Sequence, residues 1–493
     1  MQFGIGQPVP RTEDPRLLTG NGRYADDFNQ VNQAHAYVLR SPYAHARITA
    51  IDTAAAERMP GVLAVLTGAE YAADGMGPIS GGAPLKRRDG SPMVRPPRPA
   101  LTQDRVHHVG QAVAVIVAET VAQAKDASEA IEIDYDPLPP VISTETANAD
   151  GTPQIWEECP GNEVFVREYG DKAATDEAFA AAAHVIRNKF VITRAHANTM
   201  EPRAVLGQYH KGEDRYTIST GCQRPYAWRT ALSKHTFGGI PENSLSLITG
   251  DVGGSFGMKG AIYPEIPLMA WASKRVGRPV KWVCERTEGF AADDHGRDNV
   301  TNAELALDKD GKFLAFRAAT NADLGAYVSF LGFGPSTSNV GGMVGPYAIP
   351  SAHVEVTGVI TNRSPISPYR GAGRPEASYV IERLVEIAAQ ETGIDPIDLR
   401  RRNFIAPDAM PYKTALTFTY DCGEFEAAMD MCLDKADVAG FEKRRAESEA
   451  ARHRRFGNGR TGRRRTAGNR RDAVRPVGHR HRAGRQYPAR TGS

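Results

Sequence analysis

"GDVGGSFGMKG", residues 250–260, is the stretch on which the reading of this chain turns. It follows the apolar run "SLSLIT" (244–249). Gly250, Gly253, Gly254, Gly257 and Gly260 leave backbone N–H groups uncovered, and Phe256 stands among them as a wedge. Glycine allows tight turns and close approach of the backbone to a partner. Successive N–H groups form a concavity that suits an anion. The spacing fits neither GxGxxG nor GxxxxGK[ST], so no nucleotide motif is present. On these residues alone two readings stand side by side. One is a glycine-rich turn around a core phenylalanine. The other is a cradle for phosphate, pyrophosphate or a metal-oxo group.

Outward from this loop the pattern is α+β. "AHAYVLRSPYAHARITAID" alternates as two strands, "VLAVLTG" and "QAVAVIVAE" as buried strands, and "TVAQAKDASEAI" as a helix with Val121, Ala124, Ala127 and Ile131 on one side. Residues 71–100, rich in Gly, Pro and Arg, predict a long surface loop. These elements make a first domain over 1–145, opened by an arm of ordered loop, with a linker at 146–162. A larger domain follows over 163–440. It holds the strand that delivers the glycine loop, and the helix "YPEIPLMAWASKRVGRPV" closed by Gly277 and Pro279. "KWVCERTEGF" reads as strand and turn, and a β-hairpin turns at "DKDG". "ASYVIERLVEIAAQETG" is a helix with Val380, Leu384 and Ile387 on one side.

The 493 residues carry a formal charge of +2, which conceals two unlike parts. Residues 451–493 hold fourteen arginines, no lysine and one acid, Asp472, a balance of +13 that leaves −11 for the first 450. Apolar periodicity vanishes in this tail, which is predicted to be disordered. An arginine-rich arm suits nucleic acid, but the lack of lysine and the bulk of Arg, Gly, Ala, Pro and His favour a reading frame shifted near residues 450–452. The five cysteines, Cys159, Cys222, Cys284, Cys422 and Cys432, form no CxxC pair, so no zinc or iron–sulfur site is legible. No apolar run reaches membrane-spanning length. No basic stretch leads into an apolar core at the start, so the cytoplasm is the expected compartment.

Four stretches, in order, carry a resemblance: "RTEDPRLLTGNGRYADD" (11–27), "HANTMEPRA" (196–204), "DVGGSFGMKG" (251–260) and "PYRGAGRPEASYVIERLVEIAA" (368–389). Over residues 1–450 the chain resembles the large, molybdenum-cofactor-binding subunit of the molybdenum hydroxylases, in their carbon-monoxide-dehydrogenase-like branch. The resemblance implies an N-terminal α/β hammerhead domain followed by the first cofactor-binding domain. It implies Gly254, Phe256 and Gly257 as a cofactor loop, Arg370, Gly371 and Ala372 as a second loop near the metal, and Gln223 in a third segment beside the cofactor. It implies a molybdopterin-type molybdenum cofactor whose metal is held by the pterin, and hence no protein ligand to the metal. Electrons would leave to an iron–sulfur subunit and a FAD subunit, in a dimer of heterotrimers. The substrate would be an aldehyde or an N-heterocycle, with water as the oxygen donor.

Single residues also permit plainer readings. Arg370 is able to pair with Glu376 or cap a helix, His196 reads as a packed histidine, Met200 as core, and Glu201 as either an orienting or a structural carboxylate. Two departures narrow the chemistry. Gly371 stands where carbon monoxide oxidisers carry the copper-binding cysteine, and Gly260 where purine oxidisers carry a glutamate. A third concerns extent. The family continues into a second cofactor domain with a general-base glutamate, and Glu376, Glu382 and Glu386 do not match it. No catalytic residue is therefore named, and the chain is expected to be silent by itself. A non-enzymatic cofactor-binding or assembly module is the second reading, and an arginine-tailed nucleic-acid binder the third. The nucleotide sequence across codons 440–460 decides the frame. Another frame is expected to continue into apolar-patterned, glycine-rich protein, and the absence of such a frame would overturn the shift.

Overall fold

The computed structural model describes residues 6–79 and 85–450. The tail at 451–493, on which the expectations of disorder and of a shifted frame fall, lies outside the described residues. The described chain forms two compact units divided between Ala428 and Met429.

In the first unit the early strands are β1 (Ala34–Arg40), β2 (Ala46–Asp52), β3 (Val62–Thr67), β4 (Arg105–Val106), β5 (Ala112–Ala118) and β6 (Glu132–Pro137). Then come β7 (Glu163–Gly170), β8 (His184–Ala195), β9 (Ala204–His210), β10 (Arg215–Thr220), β11 (Leu245–Ile248), β12 (Val280–Val283), β13 (Gly296–Leu307), β14 (Phe313–Asp323) and β15 (Ser351–Val359). A seven-stranded sheet runs β11-β10-β9-β12-β1-β5-β3, so it draws strands from both sides of residues 146–162. A five-stranded sheet runs β7-β15-β14-β13-β8, and a three-stranded one β4-β2-β6. The adjacent strands β1 and β2 thus lie in different sheets.

The sequence of β5 explains the central layer. All seven of its residues are buried, because both faces are covered. Val115 and Val117 join a core with Trp271 of the helix Glu265–Val276. Ala114, Ile116 and Ala118 join another with Ala124 and Ala127 of the helix Val121–Ser128. The helix Glu265–Val276 lies directly on β9, where a Cβ on Gly207 would sit 2.3 Å from the Met269 carbonyl carbon. Only glycine permits that approach. The helix ends at Gly277 with φ +67°, as its sequence predicts.

One buried charge cluster ties these elements together. Glu265, fully buried, accepts from Arg40 of β1 at 2.5 Å and from Arg203 at 2.6 Å. Arg203 also donates to Asp293 at 2.6 Å and lies 3.9 Å over the ring of Tyr263. Burial pushes the Glu265 carboxyl up, but Arg203 and Arg40 outweigh it and hold the group at about 2. A buried charge survives in a core only when so paired.

Three sequence expectations change. The N-terminal arm is not loop throughout, since Asp14–Leu18 forms a short helix with Pro15 in its first turn. Residues 71–100 are not simply surface, since Leu85 and Met93 are buried in the core beneath the five-stranded sheet. Their irregular spacing among Pro and Gly gives no periodic signal. Residues 80–84 within that stretch lie outside the described residues. The stretch after β12 is a helix, Arg286–Ala292, entered through a capping box in which Glu285 N–H donates to the Glu288 carboxylate at 3.2 Å. A Glu in place of Ser or Thr at the cap conceals this start.

In the second unit Asp437, at φ +48°, turns the chain, accepts from Gly440 N–H and pairs with Arg444, opening the helix Phe441–Ala450. Among the described residues no helix is long and apolar enough to cross a membrane.

Candidate cofactor site

The glycine loop leaves β11 and is fastened at once to the N-terminal arm. A Cβ on Gly250 would lie 2.4 Å from the Arg23 carbonyl oxygen. Asp251 N–H donates to that carbonyl at 2.9 Å, and Arg23 N–H donates back to the Asp251 carboxylate at 2.7 Å. Arg16 takes both carboxylate oxygens, each at 2.6 Å. These hydrogen bonds, Arg16 first, hold the Asp251 carboxyl at about 2.

Behind the loop lies Glu201. Its carboxylate accepts from Gly253 N–H at 2.7 Å, from Ala25 N–H at 3.0 Å and from Lys259 Nζ at 2.6 Å. Lys259 Nζ also donates to the Glu201 carbonyl at 3.0 Å. The lysine side chain is 1% exposed. Burial pulls its pKa down while Glu201 opposes the shift. The carboxylate is thus a structural clamp that draws both ends of the loop onto the arm.

Past the clamp the backbone turns back on itself. Gly254, Phe256 and Gly257 have φ of +99°, +54° and +106°. Phe256 is 44% exposed, so the loop is not wrapped around a core phenylalanine. Among the described residues, the N–H groups of Gly254, Ser255, Phe256 and Gly257 meet no hydrogen-bond acceptor. Four consecutive free donors in a positive-φ turn make an anion-binding nest.

The second loop is knitted to the first. Arg370 N–H donates to the Phe256 carbonyl at 2.7 Å, and a Cβ on Gly257 would lie 2.1 Å from the Pro368 carbonyl oxygen. Gly371, Ala372 and Gly373 have φ of +93°, +45° and +98°, after which the helix Arg374–Thr392 begins. The Asn339 amide donates to the Ala372 carbonyl. Gln223 lies at the far end of the first loop. Its N–H donates to the Lys259 carbonyl at 3.0 Å, and its Oε1 would sit 3.2 Å from a Cβ on Gly260. The structure therefore brings Gln223, Gly254, Phe256, Gly257, Arg370, Gly371 and Ala372 into one seam. The side chains of Gln223 and Arg370 are exposed and, among the described residues, unpaired.

The remaining candidates take structural places. Glu376 pairs with Arg297 at 2.9 Å rather than with Arg370. Glu382 bonds Tyr347 and Arg400, and Glu386 pairs with Arg400. His196 is hydrogen-bonded to Asp293 at 3.1 Å and accepts from Asn198 N–H, a packed histidine. Met200 is 90% exposed and not part of the core, because Glu201 takes the inward position next to it. Sequence reasoning missed Arg297. The available signal was a glycine before a charged pair, "GRD" (296–298), at the mouth of a strand. Among the described residues no group of three His, Cys, Asp or Glu side chains is placed to hold a metal ion.

Two family profiles match the chain. Residues 155–404 match the molybdopterin cofactor-binding domain, and residues 19–139 match the aldehyde oxidase and xanthine dehydrogenase a/b hammerhead domain. The chain is similar to the carbon monoxide dehydrogenase large chain of Hydrogenophaga pseudoflava, with 34% identity over 89% of this chain and 55% of that one. It is equally similar to the nicotine 6-hydroxylase large subunit of Paenarthrobacter nicotinovorans, with 34% identity over 91% of this chain and 54% of the other. Among solved structures, quinoline 2-oxidoreductase from Pseudomonas putida 86 superposes with a TM-score of 0.82 at 34% identity, over 91% of this chain and 56% of that one. The chain spans about half the length of the curated relatives named here.

The clamp is open to a direct test. Glu201→Gln keeps the shape but leaves Lys259 buried without a counter-charge, a loss of about 3–5 kcal/mol by analogy with other broken buried pairs. Urea denaturation at neutral pH should show it. The deficit should narrow as pH rises toward about 10.4, the ordinary lysine value, because a neutral Lys259 needs no counter-charge.

Proposed function

The chain belongs to the aldehyde oxidase and xanthine dehydrogenase family and carries its molybdopterin cofactor-binding domain. From that membership we propose that it is the cofactor-binding large subunit of a cytoplasmic hydroxylase. That enzyme oxidises an aldehyde or an N-heterocycle with water as oxygen donor. It passes electrons to an iron–sulfur and a FAD subunit, in a dimer of heterotrimers. Within the chain we assign residues 1–145 to the arm and hammerhead domain, 146–162 to a linker and 163–440 to the first cofactor-binding domain.

The observation that carries this reading is the run of four N–H groups that, among the described residues, meet no acceptor, beside Arg370, which has no partner among them. These are donors for oxyanions and carbonyls, which suits a phosphate-bearing pterin whose own sulfurs hold the metal. Gly254, Phe256, Gly257, Gly371 and Ala372 would hold the group through the backbone, and Gln223 and Arg370 through their side chains. When bound, the cofactor supplies a two-electron acceptor. The chain's own contribution is donors fixed before the ligand arrives, which need no rearrangement during reaction.

The loops also bear on substrate. Gly371 offers no sulfur for copper. At φ +93°, a Cβ there would lie 2.6 Å from the Pro375 ring, so the backbone does not suit a cysteine. Gly260, facing Gln223, offers no carboxylate to a purine. Relatives of the same identity are named for carbon monoxide, nicotine and quinoline, so the preference for a ring substrate over carbon monoxide rests on Gly371.

The test is a substrate panel on the complex of the two partner subunits with a large subunit in which this chain is continued by the second cofactor domain, supplied with an artificial electron acceptor. Turnover of an N-heteroaromatic or an aldehyde, with oxygen from isotopically labelled water in the product, is expected. Copper-dependent oxidation of carbon monoxide would overturn the substrate assignment. A molybdenum-loaded complex inert to the whole panel would leave the non-enzymatic module as the better reading.

A further inference from the structure

Arg297 and Asp298 are adjacent non-glycine residues at φ +66° and +69° at the mouth of β13. Such backbone is costly for residues with a Cβ and persists only where the surroundings enforce it. The turn aims the two side chains at different partners. Asp298 pairs with Arg194 and Arg363, each at 2.8 Å. Arg297 reaches the second loop. Its guanidinium donates to the Tyr369 carbonyl at 3.2 Å, to the Arg370 carbonyl at 2.7 Å and to Glu376 at 2.9 Å, and lies 4.9 Å over the Tyr369 ring. A Cβ on the preceding Gly296 would sit 2.4 Å from Tyr369 Cβ, so glycine is needed for the loop to approach this closely. The Arg297 and Glu376 side chains are 13% and 4% exposed.

We propose that Arg297 is a positioning residue with two tasks: it fixes the second loop by its carbonyls, and it occupies Glu376 so that Arg370 stays unpaired. The first task follows from the hydrogen bonds. The second follows from what surrounds Arg370. Glu376 and the Arg370 carbonyl hang from one guanidinium, so the acid lies within an arginine side chain's reach of Arg370. The second carboxylate oxygen, Glu376 Oε1, is buried and, among the described residues, has no partner, so there is room for another donor. It is the charge of Arg297, already neutralising the acid, that removes the pull on Arg370. Arg374 is not a competitor, since positions two apart on a helix do not face each other. Without Arg297, Glu376 would draw Arg370 inward and the free cation at the seam would be lost. That this cation serves the cofactor rests on the function proposed above. The arrangement that keeps it free does not.

Arginine-selective modification of the 493-residue chain with phenylglyoxal, read by peptide mass spectrometry with the exposed Arg58 as internal reference, tests this without any cofactor. In the wild type Arg370 should react as a free arginine. In Arg297→Met it should react more slowly, by about two- to fivefold, the protection expected of an ordinary ion pair. Arg297→Lys, which keeps a cation beside Glu376, should restore the wild-type rate, and so should Arg297→Met combined with Glu376→Gln. A merely structural role would loosen the loop and leave the rate unchanged or raised. If Arg370 in Arg297→Met reacts at the wild-type rate or faster, the proposal is wrong. Should Arg297→Met fail to fold, Arg297→Gln gives the same reading, because it too removes the cation. Loss of the cofactor assignment would appear instead as a loaded complex without molybdenum at this seam, and would not alter these rates.

Discussion

A loop that keeps four consecutive N–H groups free cannot use them to hold itself together. Everything around residues 254–257 answers to that constraint. The restraint comes from the loop's ends and from its carbonyl side. Glu201 draws Gly253 and Lys259 together from behind, Arg16 and Arg23 hold Asp251, and the Phe256 carbonyl is taken by Arg370 N–H. The unused donors are a consequence of this packing, not of a lack of order. Donors fixed in advance lose little freedom when a ligand arrives.

The same logic explains why strain gathers here. Phe256, Ala372, Arg297 and Asp298 are non-glycine residues at positive φ, and all lie on the two loops or on the strand mouth that braces the second one. Each is held by a hydrogen bond or an ion pair that its backbone geometry makes possible. The buried Glu265, set between Arg40 and Arg203, supplies a rigid base by joining β1 and the helix Glu265–Val276 to the segment that enters β9. That segment also carries Glu201. The framework of charges in the core and the clamp under the loop are therefore two ends of one stretch, residues 201–203.

Much of this was legible in the sequence, for identifiable reasons. Strands such as β5 announce themselves as unbroken apolar runs because both faces are buried, and helices such as Arg374–Thr392 by the period that one buried face imposes. The glycine loops announce themselves because only glycine tolerates both positive φ and backbone at van der Waals contact. The partners were not legible. Glu201 and Lys259 lie 58 positions apart, and Arg297 and Glu376 lie 79 apart, so no local pattern joins them. Glu376 was read as a possible partner of Arg370 because the two are close in sequence. The fold gives Glu376 to Arg297 and leaves Arg370 free. Met200 was read as core from its hydrophobicity alone, while its exposure follows from Glu201 taking the inward turn. The sheet that spans residues 146–162 was hidden too, since strand pairing is not written in either segment alone.

The central claim is that the two loops bind the cofactor only as a knitted pair. The most direct measurement is the molybdenum and pterin content, with and without Gly257→Ala, of the assembled complex whose large subunit continues this chain with the second cofactor domain. One added methyl would meet the Pro368 carbonyl, 2.1 Å away, and force the two loops apart at their contact. The complex should remain folded and lose molybdenum and pterin together. Full occupancy of both in a folded Gly257→Ala complex would contradict the claim, because the loops would then hold the cofactor without being held to each other.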